Sequence, residues 1–317
     1  MDAVLSWHET WDSLWLANRI ASEEGNPSIA ILQLPAFYAL KHRVRALKVA
    51  TRVYYDCLYG GIREEIRKTL AQAFQSFSDE LYERRVKSVL NNYTLVLGIS
   101  KAVCLEMGLE KSNRVFYMDP GVTLDKEDLM RIRGIREGFT EKKDYLIFGG
   151  RPSVTKGVVE ALLAFRKIAR SFNNYRLIIT GNIPSREAAR LRKFAGRLGI
   201  GDKVLFAGFV SREERLRLVR EAKLMLYPSH QDAFPYAVAE SLLLGTPIVG
   251  YDIPALSTYY GKLEGVRLVR ELDVDAMADE ATDLLSASRV SVEAPRLRPW
   301  NEIIQEEVNL IMHAIDN

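Results

Sequence analysis

At 317 residues, 48% hydrophobic and 27% charged, the chain can bury one large core or two medium ones, and its composition excludes collagen-like, repetitive and disordered classes. A formal net charge of +3, with basic residues mostly interspersed among acids and no base-reading motif, excludes nucleic acid as an expected partner. Two cysteines, Cys57 and Cys104, lack Cys-x-x-Cys spacing, so neither a disulfide framework nor a thiolate metal site is expected, and a reducing cytoplasm fits best.

No apolar run reaches the roughly 20 residues a membrane span needs, and Met1 to Trp7 does not read as a signal peptide, so a soluble or at most surface-bound protein is expected. The chain opens on the strand-like Ala3-Val4-Leu5-Ser6-Trp7-His8, then a helix over Asp12 to Glu23 and a strand over Ser28 to Leu32. Basic residues Lys41, His42, Arg43, Arg45, Lys48 and Arg52 alternate with Val44, Leu47, Val49 and Val53. Two readings stand for this stretch: a solvated amphipathic helix, or a face lying peripherally on an anionic membrane. A long helical region follows from about Arg63 to Val89. Two strands come next, Thr94 to Gly98 and Arg114 to Tyr117, with the turn Asp119-Pro120-Gly121-Val122.

The charged stretch Arg131 to Asp144 reads as a linker. Beyond it the pattern is regular. Strand Tyr145 to Phe148 leads through Gly149-Gly150 to a helix from about Gly157 to Ser171. Strand Tyr175 to Gly181 leads to a basic helix ending near Gly199, and Val204 to Gly208 leads to a helix opened by the capping box Ser211 and Glu214. Strand Leu224 to Tyr227 precedes Ser229-His230-Gln231-Asp232-Ala233-Phe234-Pro235, a helix stopped at Gly245, and strand Ile248 to Gly250. Apolar strand runs alternating with helical periods predict an α/β fold with parallel sheets covered on both faces. Asp273-Val274-Asp275 spells Asp-x-Asp but precedes Ala276-Met277-Ala278, so it reads as a helix cap and no metal site is expected. A last helix spans Trp300 to Ile315.

Two segments carry chemistry. In Gly149-Gly150-Arg151-Pro152-Ser153-Val154-Thr155-Lys156-Gly157, a strand end, two cations and free amides converge where a helix begins, which suits a diphosphate: Arg offers a planar fork, Lys a compact charge. In the second, Asp232 in the entry loop and Glu240 inside the helix supply acceptors for hydroxyls, while a helix start at Ala233 and Phe234 would add backbone donors. A sugar linked to a phosphate presents both complements.

These residues resemble the large family 4 (group 1) of retaining glycosyltransferases with the two-domain GT-B fold. Asp232 to Glu240 resembles its Glu-x7-Glu signature, with Asp232 for the first Glu, Ala233 for the Gly and Ser241-Leu242 for Ala-Met. Gly150-Arg151 to Lys156-Gly157 is similar to its Gly-Arg-x(4)-Lys-Gly motif, and Gly208-Phe209-Val210 resembles its Gly-x-Val turn. The resemblance implies two Rossmann-like domains with parallel sheets facing a cleft: 1–140 on the acceptor side, 141–296 binding the nucleotide sugar, and 297–317 a helix crossing back. Because Asp2 to His8 is similar to a segment that lies after an opening strand, a Gly-rich turn and two βα units in the family, the first domain is expected to be shortened and incomplete.

The implied activity is metal-independent transfer of a hexosyl group from a nucleoside diphosphate sugar, which is a substrate and not a bound cofactor, to a hydroxyl of a sugar, lipid or protein glycan. The implied roles are as follows. Arg151 and Lys156 stabilise the departing diphosphate, Asp232 faces the donor sugar, and His8 serves the acceptor. Glu240 takes the ribose hydroxyls, and Gly150, Val210, Ala233, Phe234 and Pro235 line the nucleotide site. Gln33 stands where the family often has a second His. Rival readings are a non-catalytic nucleotide-binding subunit that needs a partner chain to complete its cleft, and a sugar-nucleotide epimerase.

Overall fold

Strand β2 (Ser28–Leu32) is buried along its whole length, as a parallel strand covered on both faces must be. Its side chains alternate. Ile29 and Ile31 cluster with Leu95, Leu97 and Ile303, whereas Ala30 and Leu32 cluster with Leu14, Val86, Val96 and Val103. The computed structural model describes residues 2–37, 58, 80–138 and 141–316. In it β2 pairs with β1 (Val4–Ser6) and β3 (Leu95–Gly98), and β3 with β4 (Val115–Tyr117), all parallel, in the order β1-β2-β3-β4. Helix α1 (Trp11–Glu24), a helix over residues 80–90 and α2 (Lys101–Met107) cover one face. The order of this sheet never reverses.

The stretch read as a linker is partly helical. Helix α3 (Lys126–Glu137) starts at Asp125, whose carboxylate accepts the Asp128 N–H at 2.7 Å, and it buries only Ile132. Its polar surface hid it: the helix rests on its cap, on Glu127 and Asp128 in the first turn and Arg136 in the last, and on the Glu127–Arg131 pair, rather than on an apolar stripe.

The second sheet comprises β5 (Lys143–Phe148), β6 (Arg176–Thr180), β7 (Val204–Gly208), β8 (Ala222–Tyr227), β9 (Ile248–Tyr251) and β10 (Val266–Val269). All pairs are parallel and the order is β10-β9-β8-β5-β6-β7. Helices α4 (Val158–Ser171), α5 (Ser185–Arg197), α6 (Arg212–Glu221), α7 (Tyr236–Leu243) and α8 (Pro254–Tyr259) connect the strands, and α9 (Val274–Ser286) follows β10. This is the doubly wound order, and its direction reverses between β5 and β8, the place where such sheets open a ligand crevice at the strands' carboxyl ends.

Helix α10 (Trp300–Asp316) returns to the first sheet, where Ile303 and Ala314 pack on Ile29, Ile31, Leu95 and Leu97. The two halves also meet at their strand ends. Ser100 Oγ, just past β3, donates to the Ala233 carbonyl at 2.8 Å, and the Lys101 N–H donates to Tyr259 Oη at 3.0 Å.

Cys104 is buried, and burial pushes its thiol up to about 11, as befits a packing residue rather than a reactive one. Cys57 and the basic stretch Lys41 to Arg52 lie outside the described residues. Among the described residues no helix is long and apolar enough to cross a membrane.

Candidate functional site

At the carboxyl end of β5 the backbone turns away through Gly149 and Gly150. A side chain at Gly149 would place its Cβ 2.5 Å from the Tyr227 ring and 2.7 Å from Met225 Sδ, so glycine is what lets β5 lie this close to β8. A short 3-10 turn, Val154–Lys156, leads to Gly157 at φ 72°, where a Cβ would sit 2.0 Å from the Pro228 carbonyl oxygen. The loop after β5 is thereby pressed against the loop after β8.

Polar contacts lock the two loops together. The His230 N–H donates to the Thr155 carbonyl at 2.9 Å. Lys156 Nζ reaches the Gln231 carbonyl at 2.9 Å and Asp232 Oδ2 at 2.5 Å. The same oxygen accepts from Tyr227 Oη at 2.5 Å. Burial, then the Asp232 charge, push the Tyr227 hydroxyl well above its ordinary value, which keeps it a donor.

Helix α7 begins at Tyr236, later than the start at Ala233 and Phe234 expected from the sequence. Ala233 and Phe234 are held by side-chain contacts rather than by helical hydrogen bonds: the Ala233 carbonyl accepts from Ser100, and the Phe234 ring packs edgewise on Tyr236 and Tyr259. Pro235 is the last residue before the helix, where its missing N–H costs nothing. On the second turn, Glu240 is 2% exposed and receives Arg212 Nη1 at 2.5 Å and Arg215 Nη2 at 2.6 Å. Ser211 caps α6 by accepting the Glu214 N–H at 3.1 Å, and this fixed start turns Arg212 and Arg215, one helical turn apart, toward Glu240. Arg212 also grips Asp128 of α3 at 3.1 and 2.6 Å, and that bond foremost holds the Asp128 carboxyl below its usual range.

Gly150, Arg151, Lys156, Val210, Asp232 and Glu240 line one crevice of about 720 Å³ at the order reversal, with Phe234 and Pro235 in its wall. Arg151 stands exposed at the lip, and Phe209 beside Val210 is 78% exposed. Ala233 is buried behind Asp232. A larger groove of about 860 Å³ runs along α3, lined by Met130, Arg133 and Arg136, but no strand end or paired carboxylate opens into it.

His8 is exposed just past β1, at the edge of the first sheet, and is not among the residues lining the crevice; Gln33 is exposed at the end of β2. Asp273 caps α9, its carboxylate accepting the Ala276 N–H at 2.9 Å, which accounts for the Asp-x-Asp spelling. Among the described residues no cluster of His, Cys, Asp and Glu is arranged to hold a metal ion. Sequence reasoning missed Tyr227, Arg212, Arg215 and His230 as parts of this site. The spacing of Arg212 and Arg215 behind a capping Ser was a usable signal for two of them.

Several known glycosyltransferases are similar to this chain. An α-D-kanosaminyltransferase of Streptomyces kanamyceticus is 24% identical over 149 residues, 47% of this chain and 38% of that protein. A D-inositol 3-phosphate glycosyltransferase of Acidothermus cellulolyticus is 31% identical over 120 residues, 36% of this chain and 27% of that protein. The chain thus spans well under half the length of these curated relatives. Sucrose-phosphate synthase from Thermosynechococcus elongatus superposes at TM-score 0.65 and 16% identity over 98% of this chain and 73% of that one. Anabaena HepE, solved with UDP and glucose, superposes at TM-score 0.62 and 13% identity over 98% and 78%. These likenesses concern the fold, which is GT-B: two Rossmann-like α/β units with parallel sheets. Residues 134–296, just over half of the 317, match the family described as glycosyl transferases group 1, and the chain belongs to that family.

Proposed function

We propose that the crevice binds a nucleoside diphosphate sugar and that the chain transfers its sugar, a hexosyl group, to a hydroxyl acceptor with retention at the anomeric carbon. The observation that carries this reading is the meeting of Lys156, Asp232 and Glu240, with Arg151 at the lip, where the second sheet reverses its order. The anomeric C–O bond to the phosphate breaks and its electron pair leaves with the diphosphate. The acceptor oxygen bonds to the same carbon, and its proton ends on the departing phosphate, the strongest base the step creates. Arg151 and Lys156 meet charge that grows only as the bond breaks, so they lower the barrier more than they tighten the ground state. Asp232, oriented by Lys156 and Tyr227, addresses the donor sugar, and Glu240 accepts from the ribose hydroxyls. With two cations serving the diphosphate, no divalent metal is needed, and a chelator should leave turnover unchanged.

Calorimetric titration with UDP, GDP and ADP tests the donor site: one nucleotide binding in preference supports the reading, and none binding overturns it. Anomeric analysis of the product by NMR then tests retention, and a product still attached to nucleotide would point to epimerisation. The exposed place of His8 outside the crevice favours one second reading, a donor-binding subunit whose acceptor side is completed by another chain. It predicts nucleotide binding without transfer by the isolated chain.

A further inference from the structure

His230 is 1% exposed, and both ring nitrogens are engaged: Nδ1 lies 2.6 Å from Glu271 Oε1 and Nε2 lies 3.1 Å from Glu160 Oε1. Its three anchors come from two distant stretches of chain. Glu160 is on the first turn of α4, directly after the Arg151 to Lys156 loop; Glu271 follows β10; and the His230 main chain holds Thr155. The next two residues, Gln231 and Asp232, are the ones that hold Lys156. We propose that His230, as an imidazolium clasped between Glu160 and Glu271, is the positioning residue of the donor site, fixing the loop that carries Lys156 against the loop that carries Asp232. This rests on the donor-site reading above.

The chemistry follows from donor counting. An imidazolium donates from both nitrogens, so each carboxylate is satisfied; a neutral ring has one N–H, which leaves the other carboxylate facing a lone pair. Burial works against the charge, but the hydrogen bonds the ring donates to Glu160 and Glu271 outweigh it and raise His230 to about 9. The other titratable or charged groups around the ring are Tyr251, 5.3 Å away centroid to centroid, Asp273 near Tyr251, and Glu106, Asp252 and Arg270, which share a cavity of about 310 Å³ with His230. Glu106 belongs to α2 of the first half, so this cavity lies between the halves, and burial pushes its carboxyl up to about 8. The clasp is therefore closed at neutral pH and opens as pH rises through about 9.

The experiment is calorimetry with the nucleotide the wild type prefers, from pH 7 to 10, on wild type, His230→Gln and Glu271→Gln. Wild-type affinity should hold at neutral pH and fall through about pH 9. Glu271→Gln keeps an acceptor but removes a charge, so it should move that fall to lower pH. His230→Gln should bind about tenfold more weakly at pH 7.5 and lack the fall, on the scale of a lost charge-assisted bond. A profile that neither substitution shifts overturns the inference while leaving the donor site standing; a wild type that binds no nucleotide overturns both. Should His230→Gln fail to fold, Glu271→Gln and the imidazole titration of wild type by NMR decide. A ring titrating near the ordinary 6.5 overturns the inference.

Discussion

Arg212 and Glu240 stand 28 positions apart in the chain and 2.5 Å apart in space, and Arg212 is one of two guanidinium groups that satisfy a carboxylate buried inside helix α7. Such a carboxylate is tolerated only while it is paired, because a lone buried charge keeps its desolvation cost and has nothing to offset it. Arg212→Ala leaves Glu240 with Arg215 alone and should cost about 2 to 3 kcal/mol, read from urea unfolding. Arg212→Ala with Arg215→Ala should cost more than the sum of the two single changes, since only the double variant strips the carboxylate bare.

Lys156→Ala and Glu240→Ala should each weaken binding of the preferred nucleoside diphosphate by roughly 2 kcal/mol or more, the scale for removing one partner of a desolvated charged contact. Calorimetry on folded variants reads this directly, and unchanged affinity in both would sink the donor-site assignment.

Gly157→Ala and Gly199→Ala separate backbone strain from collision. Both glycines have φ near 72°, at 72° and 73°, but a Cβ at Gly157 meets the Pro228 carbonyl at 2.0 Å while one at Gly199 meets nothing within 4 Å. Gly199→Ala should cost about 1 kcal/mol, the left-handed penalty. Gly157→Ala should cost several times that and also lower nucleotide affinity, because the two loops can no longer touch.

Glu106 gives a pH test with a definite sign. Burial first, and then the charge of Glu271, raise its carboxyl from an ordinary 4.5 to about 8 in the folded chain. A group raised by folding contributes stability below its unfolded value and loses it as pH rises through the folded one. Wild type should therefore lose stability relative to Glu106→Gln between about pH 4.5 and pH 8, and the two should converge at pH 4. Thermal unfolding across that range measures it; a constant gap would mean the carboxyl ionises normally.

What the sequence revealed was what it encodes locally. Tyr145 to Phe148 and Leu224 to Tyr227 read as strands because each is a short apolar run ended by a turn. Lys156 and Asp232 were legible because each lies within a few residues of a strand end, where the chain's direction is set by neighbours. The pairing of β5 with β8 joins segments separated by five other helices and strands and left no local trace. The same holds for His230, whose carboxylates lie 70 and 41 positions away; for Arg212 and Arg215 the sequence showed which face of the helix they share but not that Glu240 faces it. Helix α3 was misread for a different reason: apolar periodicity is the strongest helical signal, and a helix that buries one residue scarcely has it.

The chain passes between its two halves twice, once after β4 and again over 289–299 before α10, and Arg298 of the second passage donates to the Pro120 carbonyl of the first at 3.2 Å. Two strands of chain joined at one point act as the pin of a door. Rotation about that pin would strain neither covalent thread and has the strand-end bonds of Ser100 to Ala233 and Lys101 to Tyr259 to give up, whereas sliding or separation would strain both threads. Cutting one of them would not release the piece beyond it either: a chain nicked within 289–299 should still elute whole in gel filtration, because Ile303 and Ala314 remain sunk between Ile29, Ile31, Leu95 and Leu97 until denaturant frees them.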